Sequence, residues 1–156
     1  MSDVVIRAAR DTDAEGLIAL IGAVYSEYPG CVLDVDNEEP DLREIAKAYR
    51  EQNGRFWVAL EEASLVGSVG VKPGSDATSL ELKKLYVARR ARRRGLGTRL
   101  LELAEAELSA RGLTRMELWT DTRFEDAHRL MVNRRRSPDH GSPRREHARR
   151  ATWRPS

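Results

Sequence analysis

Between an apolar strand pattern ending in Leu85-Tyr86-Val87 and an amphipathic helix pattern beginning near Leu100, the chain reads Arg92-Arg93-Arg94-Gly95-Leu96-Gly97-Thr98. A glycine-bearing turn from strand to helix is a place where a chain can hold phosphates. The first amides of a helix have no intrahelical acceptor and lie at the positive end of its dipole, so they favour anions, and glycine lets the backbone approach closely. The spacing excludes two familiar nucleotide loops. A P-loop would end in Gly-Lys-Ser/Thr, and a dinucleotide fingerprint would carry a third glycine where Leu100 stands.

The elements around this turn can be read from periodicity. Val4-Val5-Ile6 forms a short strand, and Thr12 and Glu15 have the spacing of a capping box ahead of a helix with Leu17, Ile18, Leu20, Ile21 and Val24 on one side. Tyr28-Pro29-Gly30 closes that helix, and an acidic stretch, Asp34 to Glu39, leads to Pro40. Pro40 suits the first turn of a second helix with Leu42, Ile45, Ala46 and Tyr49 on its apolar face, stopped by Gly54. Phe56 to Leu60 and Leu65 to Val71 read as a hairpin across Glu61 to Ser64, and Pro73-Gly74-Ser75-Asp76 turns into a third strand, Leu80 to Val87. Its alternation slips between Leu82 and Leu85, which predicts a β-bulge. A helix from about Gly97 to Arg111 carries Leu100, Leu101, Leu103, Ala104 and Leu108 inward and is capped by Gly112. Arg115 to Thr120 is a further strand, with Met116, Leu118 and Trp119, and a helix crossover makes it the parallel neighbour of Leu80 to Val87.

A chain of 156 residues suffices for one domain with a real core. One cysteine, Cys31, and three histidines supply neither an intramolecular disulfide nor metal-ligand spacing, which points to a reducing, cytoplasmic setting and to no metal. Leu17 to Tyr25 is the longest apolar stretch and is too short to span a bilayer, so no membrane role is expected. The net charge of +2 conceals an asymmetry: residues 131–156 hold eight of the 27 basic and two of the 25 acidic residues. A mildly acidic body thus carries a basic tail.

Arg92, Gly95 and Gly97 match Gln/Arg-x-x-Gly-x-Gly/Ala, and the turn resembles the pyrophosphate loop of the GNAT superfamily of acyl-CoA-dependent N-acetyltransferases. The order strand, two helices, three antiparallel strands, helix, strand, helix is also similar to that family over about residues 4–130. The resemblance implies an α/β fold, a mixed sheet flanked by helices, in which strands Leu80 to Val87 and Arg115 to Thr120 splay apart to admit acetyl-CoA. It implies transfer of an acetyl group to an amine of a small molecule or protein by direct attack in a ternary complex. The cofactor-binding residues it implies are Leu85, Tyr86 and Val87 for the pantetheine arm, and Arg92, Arg93, Arg94, Gly95, Leu96, Gly97 and Thr98 for the pyrophosphate, with Arg89 or Arg90 near the ribose phosphate. Glu81 is the implied catalytic base; its other reading is a strand residue paired with Lys83 or Lys84. Asp34 to Glu39 falls where the fold forms part of the acceptor site, and also reads as a solvated loop. Trp57 and Trp119 read as core or as acceptor-pocket wall, His128 as a helix surface residue, and Cys31 as no nucleophile.

The resemblance departs at the C-terminus. The fourth helix, Asp121 to Leu130, would continue into Tyr-x-x-x-Gly-Phe and two last strands, but Met131 stands at the tyrosine position and no Gly-Phe follows. That tyrosine usually protonates the leaving thiolate. The expectation is therefore an acetyltransferase domain at 1–130, truncated at its C-terminal end, and a disordered Arg/Pro/Ser-rich tail at 131–156. The tail reads as a solvated extension, as an arginine arm for nucleic acid, or as the product of a shifted reading frame in GC-rich coding DNA. Without the last two strands Arg115 to Thr120 becomes a sheet edge prone to self-association, and the chain could be a CoA-binding remnant or a nucleic-acid binder instead of an enzyme.

Overall fold

The computed structural model describes residues 3–121, 137–138 and 148–155. Strand β1 (Val4–Ala8) leads through a 3-10 turn to helix α1 (Ala14–Tyr25); a single turn α2 (Val35–Glu38) and a 3-10 turn at Pro40–Glu44 lead to α3 (Ile45–Glu51). Strands β2 (Arg55–Glu61), β3 (Ser64–Pro73) and β4 (Ser79–Val87) form a meander, α4 (Leu96–Ala110) crosses to β5 (Arg115–Asp121), and β6 (Ser137–Pro138) and β7 (Ala148–Trp153) complete the sheet. The order is β1-β2-β3-β4-β5-β7-β6, with β4 and β5 parallel and every other neighbour antiparallel.

Each face of the sheet is sealed by the apolar stripe that the sequence periodicity singles out. Leu96, Leu100, Leu101, Ala104 and Leu108 of α4 bury against a cluster that includes Leu80, Leu82, Met116 and Leu118. Leu17 and Ile21 of α1 join Leu42, Ile45 and Tyr49 over Phe56 and Val58. Gly70 permits that second layer to sit down on β3, since a Cβ there would come 2.7 Å from Tyr49 Cε2.

Three local details differ from the sequence expectation. The start of α1 is organised by Asp13, not by Thr12: its carboxylate accepts the Arg10 amide at 2.8 Å and both arms of the Arg7 guanidinium at 2.9 Å. The β2–β3 turn is Glu62-Ala63, both left-handed (φ 51° and 66°), which is primed-turn geometry without the glycine or asparagine that signals it. Asn53 (φ 57°), not Gly54, supplies the left-handed residue after α3.

The larger correction concerns the tail. The sequence predicts that the last two strands are missing and that β5 is an open edge; instead Met116 to Asp121 pairs antiparallel with Trp153 to Ala148, and Ser137–Pro138 pairs outside that. A charged segment can still join a sheet when alternate residues face the core. Here Ala151 and Trp153 are buried, and Trp153 Nε1 donates to Glu105 Oε2 of α4 at 2.8 Å. The edge that motivated self-association is therefore covered. Asp121, expected to open the fourth helix, instead ends β5; residues 122–136, with His128 and Met131, lie outside the described residues.

Trp153→Ala removes the anchor of β7 and is expected to cost about 3–5 kcal/mol in urea unfolding; a loss below about 1 kcal/mol would mean the strand is not docked. Burial alone would raise the Asp13 carboxyl, but Arg7 and the Arg10 amide outweigh it and hold it below its ordinary 3.8. The folded carboxyl thus binds its proton less readily than the unfolded one. Its contribution is fully present above the unfolded value and is lost as the pH falls through the lower folded value. Asp13→Asn should accordingly lower stability at pH 7 and flatten the acid limb of a stability-against-pH curve; an unchanged limb would contradict this.

Candidate active site at the divergence of β4 and β5

The centre of the sheet carries one deliberate irregularity. On β4, Lys84 and Leu85 occupy the space opposite the single residue Val69, because the register runs from Gly70↔Lys83 to Ser68↔Tyr86. Lys84 takes a left-handed φ of 50°, and the buried Ser68 hydroxyl donates to its carbonyl at 2.8 Å. This is the bulge that the slipped alternation predicts. A bulge bends its strand and raises the local twist. The consequence appears in the neighbouring ladder: β4 pairs with β5 only from Ser79↔Arg115 to Leu82↔Leu118, whereas β5 continues alongside β7 to Asp121. Among the described residues, β4 from Lys83 onward has no strand partner on its β5 side. The backbone of Leu85, Tyr86 and Val87 borders that opening.

The Arg-rich turn sits at the end of β4. Arg93 (φ 65°) and Gly95 (φ 74°) are both left-handed, and Gly95 is the N-cap of α4 with no side-chain cap. The helix's first bond back to the turn runs from Arg99 N to Gly95 O at 3.0 Å, so the amides of Leu96, Gly97 and Thr98 precede the ladder. These donors at a helix start, in an exposed turn, suit an anion.

Two of the arginines hold the turn in place. Arg92 donates through Nε to the Val87 carbonyl at 3.1 Å and grips both oxygens of Glu27 at 2.6 and 2.8 Å, tying the end of β4 to the segment after α1. Arg94 grips Glu61 at the end of β2 at 2.6 and 3.1 Å. Arg89, Arg90 and Arg93 are exposed, and neither Arg89 nor Arg90 has a left-handed backbone.

Glu81 lies three residues before the bulge and is buried, with Lys83 Nζ 3.1 Å from its carboxylate. The register puts Lys72, Glu81 and Glu117 in one row across three strands, on one face. Glu117, fully buried, accepts from Ser75 Oγ at 2.6 Å and from Trp119 Nε1 at 3.2 Å. Of the acidic segment, Glu39 turns in over the same face, while Asp36 to Glu38 stay exposed. Asp34 caps α2 through the Asn37 amide at 3.2 Å, Asp36 pairs with Arg43 at 2.9 Å, and Glu39 pairs with Lys84 at the bulge itself. Burial pulls the Lys84 ammonium below its ordinary value, against the opposing pull of Glu39. Tyr86 also reaches this face; burial first, then Tyr25, whose hydroxyl is 3.5 Å away, holds its ionisation well above the ordinary phenol value.

The structure thus gathers Glu81, the bulge, Leu85 to Val87 and the 92–98 turn along one strand and its end. Trp57 is buried in the core, with the Arg55 guanidinium 5.1 Å from its ring centre, and Cys31 is a half-buried free thiol. Sequence reasoning missed the Lys84–Glu39 pair, Ser68 and the two arginine struts. Lys84 carried a signal, since a bulge residue leaves the alternating pattern; the partner 45 residues away did not. No group of three or more residues suited to a metal occurs among the described residues, and none of the described helices is long and apolar enough to cross a membrane.

Comparison with known proteins agrees with this geometry. A protein of Xenopus tropicalis described as probable N-acetyltransferase 14 is 33% identical over 95 residues, which are 60% of this chain and 46% of that protein. The uncharacterized N-acetyltransferase YjgM of Escherichia coli is 28% identical over 127 residues, 79% of this chain and 75% of that protein. The chain spans less than half the length of the Xenopus relatives it matches. Among solved structures, a GNAT acetyltransferase of Staphylococcus aureus superposes with a TM-score of 0.83 at 22% identity, over 97% of this chain and 99% of that one. The PaiA N-acetyltransferase of Thermoplasma acidophilum, solved in complex with coenzyme A, gives 0.77 at 17% identity, over 97% and 99%. The model of the acetyltransferase (GNAT) family matches residues 21–134, most of the chain, and the protein belongs to that family.

Proposed function

We propose that this protein transfers an acetyl group from acetyl-CoA to an amine of a small molecule or protein, by direct attack within a ternary complex. The observation that carries the reading is the parting of β4 from β5 at the Lys84 bulge, which opens a run of β4 backbone directly upstream of an amide-rich helix start. An extended amide-bearing arm can pair with Leu85, Tyr86 and Val87 as a strand would. The pyrophosphate beyond it then meets the turn from Arg92 to Thr98, where the struts to Glu27 and Glu61 set the amides in advance, and the exposed Arg89, Arg90 and Arg93 add positive charge. A solved relative of the same fold carries coenzyme A.

The thioester brings an activated carbonyl. An amine with an ordinary pKa near ~10 arrives protonated and must lose a proton before its nitrogen can form the new C–N bond. On this reading Glu81 takes that proton, directly or through water, before attack; the second proton leaves the nitrogen as the tetrahedral adduct collapses and the C–S bond breaks, and passes to the departing thiolate. Backbone N–H groups on the open side of β4 are positioned to stabilise the developing oxyanion.

Glu81→Gln keeps the shape and removes the base. It should lower kcat about 10²-fold or more while acetyl-CoA binding stays unchanged; an unaltered kcat would remove Glu81 from the chemistry. Gly97→Val puts a branched side chain among the exposed amides and should weaken CoA binding, measured by calorimetry, at least about tenfold with little loss of fold. Unchanged affinity would place the cofactor elsewhere. Tight acetyl-CoA binding with no transfer to any amine in a broad panel would mark a CoA-binding scaffold instead of an enzyme.

A further inference from the structure

The face of the sheet that carries α4 has an open groove at its β1 end. It measures about 540 Å³ and is bounded by Ile6, Ala8 and Trp57 on the strands, Leu103 on α4, and the side chains of Arg55 and Arg99. Arg7 and Glu102 also line it. β3 separates it from the β4–β5 opening, so acetyl transfer there makes no use of it. Its size falls within the range of about 300–1,000 Å³ over which small-molecule sites are built, and an apolar floor with a few polar groups is their usual chemistry.

The local structure accounts for the open space. β1 is the last strand on this side of the sheet, and Ala8, paired opposite Trp57, contributes only a methyl group. Ile6 and Leu103 are half-buried against the core, whereas Ala8 is exposed. Trp57 is 7% exposed, and its indole N–H has no acceptor among the described residues; those of Trp119 and Trp153 donate to Glu117 and Glu105.

The cations differ in what already holds them. Both arms of Arg7 donate to Asp13 at 2.9 Å, and Arg55 donates to Glu107 at 3.0 Å while lying 5.1 Å from the centre of the Trp57 ring. Arg99, exposed in the first turn of α4, has no ion pair among the described residues. Its planar fork matches the geometry of a carboxylate. With the Glu102 carboxylate on the same helix, the groove suits a single negative charge and not a phosphate dianion.

We infer that this groove binds an apolar monocarboxylate, its carboxylate on Arg99 and its hydrocarbon body over Ile6, Trp57 and Leu103. Burial of the body supplies the affinity, and the guanidinium sets which end lies where.

The test titrates the full chain with octanoate, and with 1-octanol as the uncharged control, while following backbone amide resonances. Octanoate should give saturable shifts at Ile6, Ala8, Trp57 and Leu103, with 1-octanol at least about tenfold weaker for want of a charge-assisted hydrogen bond. Arg99→Gln, at an exposed helix position, should weaken octanoate by a similar factor. Ala8→Phe fills the groove from an exposed strand position and should abolish saturation. Gly97→Val should leave octanoate affinity unchanged, which separates this site from the proposed cofactor turn. The inference is overturned by an absence of saturation, by equal affinity for the alcohol, or by affinity that Arg99→Gln or Ala8→Phe leaves unaltered. Octanoate shifts confined to Leu85 to Val87, to the 92–98 turn or to the arginine-rich C-terminal residues would overturn it as well.

Discussion

The bond from the Ser68 hydroxyl to the Lys84 carbonyl holds together the feature on which the rest of the site depends. A left-handed lysine in the middle of a sheet is strained, and it persists because buried groups on both sides fix it: Ser68 below the backbone and Glu39 at the end of the side chain. The bulge separates two regimes of β4. Before it, Leu80 and Leu82 pack against α4 and pair in parallel with β5; after it, β4 stays paired with β3 but, among the described residues, has no strand partner on its β5 side. The sheet remains continuous on the other side because β7 pairs with β5 along the whole length that β4 abandons.

Charge is used in this protein mainly to fix geometry. The Arg92–Glu27 and Arg94–Glu61 pairs clamp the two ends of the helix-start turn to separate elements, and the Arg7–Asp13 pair does the same for α1. Such pairs are worth little to stability where they are exposed. In the proposed reading the two pairs at the turn hold its amides ready for an anion, so that binding does not have to order the turn. The inward row of Lys72, Glu81 and Glu117 is different in kind. Buried charges persist only with partners, and the partners come from β4, the β3–β4 turn and the segment before α3.

Much of this was legible in the sequence because it is local. The strand-turn-helix around Gly95, the stripe of α4 from Leu100 to Leu108 and the slipped period of β4 each follow from short-range pattern. The parallel neighbour of β4 followed from the crossover rule. What escaped was long-range or against composition. Nothing in the acidic run Asp34 to Glu39 says that Glu39 meets Lys84, and Tyr49 reads as one more apolar-face residue until its hydroxyl is seen to be buried. β7 escaped because eight arginines in residues 131–156 outweigh, on composition, the two core positions at Ala151 and Trp153 that seat the strand.

In the proposed reading the β4 backbone beyond the bulge and the amides at the start of α4 together form an acyl-CoA site. Titrating the isotope-labelled protein with coenzyme A while following backbone amide resonances addresses it most directly. An acyl-CoA site there gives saturable shifts concentrated in Leu85 to Val87 and Arg93 to Thr98, with β1 and β2 undisturbed. Shifts confined to the arginine-rich C-terminal residues, or none in a folded sample, would contradict it.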